Sequence, residues 1–164
     1  MFTGQNQLPS NAPVTVVCID RILNGLPVGT FYNAYQPGPA AFWGLGELVL
    51  KMDALFDLIG FPNPAFQLRS FQRKDVPRRR AAPAASALRT YWEPEAFAAC
   101  SGALGTFVIH PLYRQNASWQ GYVEWLEGKK TESFRSALEL MHLVDQAIGK
   151  RRVDKQVCRN AADL

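Results

Sequence analysis

Side-chain catalysis needs a nucleophile beside a base, or several metal-ligating groups at usable spacing, and this chain has few residues able to supply either. It holds two histidines, His110 and His142, and three cysteines, Cys18, Cys100 and Cys158. The cysteines are odd in number and far apart, which fits reduced thiols better than a disulfide framework or a zinc site. His110 sits in an alternating apolar stretch, on the side opposite Phe107 and Ile109, and His142 sits on a helical pattern. Both read as structural or surface histidines before they read as bases. HExxH, paired CxxC, P-loop, GxSxG and GxGxxG arrangements do not occur. The expectation is a protein that is not an enzyme, with no catalytic residue, no metal ligand and no cofactor.

Paired carboxylates are the remaining route to acid–base or metal chemistry. Glu47 and Glu139 stand 92 positions apart, as do Asp53 and Asp145. At about 100° per residue, Glu47 points away from the apolar stripe of its helix, so a solvated or partner-facing charge is its expected role.

Basic residues form the other chemical feature. The formal net charge is +4, from 18 Lys and Arg against 14 Asp and Glu, but much of the basic charge falls in two windows. The first holds Arg69, Arg73, Lys74, Arg78, Arg79 and Arg80; the second holds Lys150, Arg151, Arg152, Lys155 and Arg159. In the remainder acids outnumber bases. Arginine forks bind phosphate bidentately and a flexible basic arm can lie along a phosphate backbone. Arg69 to Arg80 therefore make a candidate nucleic-acid arm, with Lys150, Arg151, Arg152 and Lys155 as a second patch. The competing reading is a solvated linker and tail whose charge serves solubility. Helix-turn-helix, RNP, KH and zinc-finger signatures are missing, so sequence-specific base reading is not expected.

The elements that must position these groups follow from turns and periodicity. Residues 14–22 and 28–35 are apolar runs around Asn24-Gly25, the strongest short hairpin signal. After Pro37-Gly38-Pro39, the apolar residues of 42–59 (Phe42, Leu45, Leu48, Val49, Met52, Leu55, Phe56, Ile59) recur at helical spacing, and Gly60 and Pro62 stop the helix. Residues 106–113 and 119–127 form a second hairpin, followed by a turn at 128–130. A second helix over 134–148 follows, with Ser133 as N-cap and Gly149 as its stop. Shifted by 92 positions, Val16, Asn24, Gly29, Phe42, Glu47, Leu48 and Asp53 match Val108, Asn116, Gly121, Phe134, Glu139, Leu140 and Asp145 without a gap. The fold class predicted is α+β, with two pseudo-repeated ββ(β)α halves and antiparallel sheet covered by helices, as one sheet or two lobes.

The 164 residues, 48% hydrophobic and 12% aromatic, suffice for a buried core. They divide into a disordered N-terminus (1–12), a first half (13–72), a basic Pro/Ala-rich linker (73–100), a second half (101–149) and a basic tail (150–164). Residues 66–71 offer a further strand and 91–99 a short helix beginning at Pro94. No apolar run reaches the roughly 18 residues of a membrane span, and the start of the chain lacks a signal pattern, so cytoplasmic residence without membrane contact is expected. On the outer side of the first helix, Trp43, Leu50 and Leu58 form a candidate protein interface, homodimeric or with a partner.

Two resemblances add to this. Asn116-Ala117-Ser118-Trp119-Gln120-Gly121 has the N-x-S-x-x-G form that, with an upstream R-x-x-x-R such as Arg69-Ser70-Phe71-Gln72-Arg73, resembles the cyclic-dinucleotide motif of PilZ domains. It implies a cyclic-dinucleotide sensor, although such a domain needs more barrel strands after the second motif than this chain supplies. The stretch 114–149, with RQNASWQGYVEWLEG and ESFRSALELMHLVDQAIG, is similar to uncharacterised small proteins of gut Firmicutes mobile elements. That similarity implies a bacterial accessory protein and brings no activity with it. The functional expectation is non-enzymatic binding of nucleic acid or a nucleoprotein complex, with inhibition of a defence nuclease, as anti-CRISPR proteins do, as a special case. The alternative is a protein–protein adaptor or homodimeric scaffold.

Overall fold

Asn24 and Gly25 both take left-handed backbone, φ 51° and 79°, as a type I′ turn requires, and so fold β1 (Thr15–Leu23) back on β2 (Leu26–Tyr32). The computed structural model describes residues 12–65, 69, 71 and 88–162, with side chains from Ala12 to Arg151 apart from Pro94. After β2 come β3 (Ala40–Trp43) and α1 (Leu45–Ile59), and later a 3-10 turn (Pro94–Phe97). The chain then forms β4 (Gly105–Tyr113), β5 (Gln120–Trp125), β6 (Lys130–Phe134) and α2 (Ala137–Ala162). All six strands form one antiparallel sheet in the order β3-β2-β1-β4-β5-β6. The central pair is β1 with β4, in the register that sets Val16 opposite Val108.

One face of this sheet is the core. Val17, Ile19, Phe31, Phe42, Phe107, Ile109, Val123 and Phe134 point into it, and α1 and α2 cover it with Leu48, Met52, Leu55, Phe56 and Ile59 and with Leu140, Val144, Ala147 and Ile148. Each such side chain contributes about 1.5–3 kcal/mol by leaving water.

Three expectations need correction. Phe42 is a strand residue, because β3 pairs with β2 and Gly44, at φ 85°, breaks the chain before α1 begins. Residues 130–134 form β6, so the second helix starts at Ala137 with Ser136 rather than Ser133 at its N-terminus; the Ser136 hydroxyl accepts the Glu139 amide at 3.0 Å. Gly149 does not stop that helix. Nothing lies within 4 Å of where its Cβ would be, and α2 runs on through the basic tail to Ala162, in good helix formers with no proline. The strand expected over 66–71 falls mostly outside the described residues. Residues 88–100, read as the end of the linker, are tied down: the amide of Tyr91 donates to Ala34 O at 2.8 Å and the indole of Trp92 to Gln36 O at 2.9 Å.

α1 and the loop after it are joined to the end of β4 by an ionic cluster around a buried arginine. Arg114 is 2% exposed and donates from Nε to Pro62 O (2.7 Å), from Nη1 to Asp53 Oδ1 (2.9 Å) and from Nη2 to Asp57 Oδ1 (2.7 Å). The indole of Trp119 donates to the same Asp53 oxygen at 3.1 Å. Among the described residues no helix is long and apolar enough to cross a membrane.

Candidate ligand-binding recess

Strand alternation sends Val16 and Cys18 of β1, Val108 and His110 of β4 and Tyr122 of β5 to the face the helices leave bare. Residues 88–104 cross one half of that face. Leu104 donates to Ile19 O at 2.8 Å, Phe97 packs its ring 5.9 Å from that of Tyr32, and Glu127 accepts both the amide and the hydroxyl of Thr106, at 2.9 and 2.7 Å. Between this crossing and β4–β5 remains a recess of about 830 Å³, lined by Val16, Val108, Leu112, Trp92, Phe97 and Leu126, with Glu93 at its wall.

His110 is the polar group at its floor. Register places it opposite Tyr122, and the two rings stack at 4.2 Å and 12°. Its Nε2 lies 3.1 Å from Glu124 Oε1, but no well-aligned hydrogen bond satisfies that nitrogen. The imidazole thus turns its buried Nε2 toward a carboxylate while the residue itself lines the recess. Burial lowers the His110 pKa below the ordinary 6.5, against the smaller upward pull of Glu124. An unfolded chain takes up the proton first as pH falls, so stability decreases from about pH 6.5 down to the folded value and rises with pH across that window. The expected result of an NMR titration is a His110 midpoint below the ordinary 6.5, falling further in Glu124→Gln; a midpoint at or above 6.5 contradicts the placement.

Beneath the crossing segment, Cys18 is buried and free, and burial pushes its thiol up to about 12. A thiolate is the reactive form. Native protein at pH 8 is therefore expected to leave Cys18 unlabelled by an aromatic disulfide reagent, with labelling on unfolding; rapid native labelling goes against this packing.

The carboxylates read as candidate chemistry have local work instead. Glu47 Oε2 accepts the Trp43 amide at 2.7 Å and Glu139 Oε2 accepts the Arg135 amide at 2.7 Å, each tying the chain two residues ahead of its helix to the first turn. Lys51 and Arg135 respectively hold these two carboxyls below the usual range. Asp53 belongs to the Arg114 cluster, and Asp145 is exposed on α2. No group of three or more His, Cys, Asp or Glu able to hold a metal occurs among the described residues.

The other sequence-derived sites are scattered. Of the first basic window Arg69 is exposed, whereas Arg73, Lys74, Arg78, Arg79 and Arg80 lie outside the described residues. Lys150 is exposed on α2 and Arg151 half-buried; the side chains of Arg152 and Lys155 are not described. Trp43 stands on the bare face of β3, away from Leu50 and Leu58, which remain 72% and 51% exposed on the outer side of α1. The N-x-S-x-x-G residues each meet a structural need. Asn116 and Ala117 turn the β4–β5 hairpin at φ 51° and 62°, the Ser118 hydroxyl accepts the Ala137 amide at 2.9 Å, and Gly121 passes against the His110 carbonyl. Sequence reasoning placed His110 on the correct face but missed the recess, because its lining comes from five separated segments, 12–16, 34–35, 90–98, 108–112 and 122–126. Comparison with protein families, with curated proteins and with solved structures finds no match to this chain.

Proposed function

We propose that this chain is a non-enzymatic binding protein whose recognition site is the recess on the bare face of the sheet. The observation that carries the reading is an apolar concavity of about 830 Å³, built on paired strands and lined by Val16, Val108, Leu112, Trp92 and Phe97 with His110 and Glu93 among its polar residues. Ligand sites are typically apolar clefts of about 300–1,000 Å³ with few polar groups. Val108→Trp fills the recess from its floor. The expected result is that aromatic fragments raising the melting temperature of the wild type leave this variant unaffected, at unchanged fold by circular dichroism. Equal stabilisation of both proteins would overturn the reading.

We read the halves, 13–72 and 101–149, as copies of one ββ(β)α unit. In support, Val16 pairs with Val108, its own counterpart at the 92-residue spacing; Asn24 and Asn116 share φ 51°; Glu47 and Glu139 tie down the chain ahead of their helices alike. A protein-adaptor role is favoured by Leu50, Ala54 and Leu58, an exposed apolar line along α1. If that line is an interface, Leu50→Glu with Leu58→Glu converts an assembly seen by sedimentation velocity into monomer; a wild type that sediments as monomer with every partner offered removes this role. A nucleic acid or nucleoprotein partner would meet the basic segments, of which Arg69 and Lys150 are exposed. Replacing Arg78, Arg79 and Arg80 by Ser should then weaken generic DNA or RNA binding at low salt and flatten its salt dependence. A mobile-element setting would make a defence nuclease one such partner.

A further inference from the structure

We propose that the recess takes a small organic cation, an apolar and preferably aromatic body carrying an ammonium or guanidinium group. This rests on the reading of the recess as a binding site and adds the charge class of what it binds.

Among the described residues, the acidic or basic side chain that lines the recess is a carboxylate. Glu93 lines its wall, and Glu124 stands beside His110 at its floor, 3.1 Å from Nε2. Among the described residues no lysine or arginine lines it, and neither carboxylate has a lysine or arginine partner there. Burial keeps the imidazole of His110 neutral near pH 7, so it does not offset them. An anionic ligand would therefore meet Glu93, with Glu124 behind His110, and no cation among the described lining residues. A neutral apolar ligand would cover Glu93 without replacing the water it loses, which is unfavourable for a charged group. A ligand cation removes both penalties. Trp92, Phe97 and Tyr122 add ring surface on which an ammonium or guanidinium is attracted, and one face of Tyr122 is already held by the His110 stack. Phosphate-bearing ligands are disfavoured here by the same arithmetic of charge, which separates this site from the basic segments of the chain.

The test uses the full chain and three matched probes: 4-phenylbutylammonium, 4-phenylbutanol and 4-phenylbutyrate. Each is titrated at about neutral pH while the side-chain NMR signals of Trp92, His110 and Tyr122 are followed. The expected result is binding of the ammonium about tenfold tighter than the carboxylate, with the alcohol between. Glu93→Gln with Glu124→Gln, both at solvent-accessible positions, should bring the three affinities to within about threefold of one another while the alcohol's own affinity stays put. Equal binding of all three probes to the wild type overturns the charge inference and leaves the recess as a binding site. A cation preference that survives in the double variant also overturns it, since the charge would then come from elsewhere. If none of the probes moves these signals, the binding-site reading fails and the inference falls with it.

Discussion

Arg114→Met is expected to cost about 3 kcal/mol of stability, because it strips two half-buried carboxylates of the buried guanidinium that pairs with them. The guanidinium is 2% exposed and spends its hydrogen bonds on Asp53, Asp57 and the Pro62 carbonyl, holding α1 and the loop after it to the end of β4. Methionine conserves apolar volume but leaves Asp53 and Asp57 facing each other in a half-buried site. The measurement is urea unfolding of the wild type and the variant with equal m-values. Adding Asp53→Asn and Asp57→Asn should recover part of the loss, since neutral amides no longer need the cation. A loss under about 1 kcal/mol would place this cluster with ordinary surface ion pairs.

Gly29→Ala and Gly121→Ala are each expected to cost about 3 kcal/mol or more, as overpacking against rigid backbone does at its upper end. A Cβ at Gly29 would overlap the Cys18 carbonyl oxygen, and one at Gly121 the His110 carbonyl oxygen. Both glycines face strands whose register shifts at a bulge, between Ile19 and Arg21 in β1 and between Pro111 and Tyr113 in β4. The extra residue bends each strand over its neighbour, and only a missing side chain leaves room. Gly25→Ala is the control. Unlike Gly29 and Gly121 it has positive φ, but nothing lies within 4 Å of its Cβ, so the expected loss is about 1–2 kcal/mol from the left-handed backbone alone. Thermal unfolding ranks the three; a Gly29→Ala variant no worse than Gly25→Ala contradicts the close approach.

Local signals were readable and long-range ones were not. Asn24-Gly25 specified its hairpin because its turn type needs left-handed backbone at both positions, and the stripe Leu48, Met52, Leu55, Phe56 and Ile59 specified α1 because a buried face must repeat at 3.6 residues. The optional third strand was allowed but not placed: four residues, Ala40 to Trp43, do not distinguish strand from the first turn of a helix until β2 is known to pair with them. Gly149 looked like a stop because glycine often ends helices, yet the residues beyond it continue one. The N-cap of α2 was legible in the Ser136-x-x-Glu139 pattern, although the recurrence of Glu139 drew attention to chemistry instead. Arg114 and Asp53 are 61 positions apart, and no local pattern announces such a pair. The recess had the same fate. Alternation put His110 on the side away from Phe107 and Ile109, but Tyr122, Glu124 and Trp92 join it only through strand register and the return of 88–104 across the sheet.

Backbone NMR shift mapping of the full, isotope-labelled chain with a bound aromatic fragment tests the binding site most directly. The expected result is that shifts concentrate at Val16, Trp92, Val108, His110 and Tyr122 and vanish in Val108→Trp. Shifts that concentrate instead along Leu50, Ala54 and Leu58 of α1, or that persist in Val108→Trp, would contradict the assignment of the recess as the site.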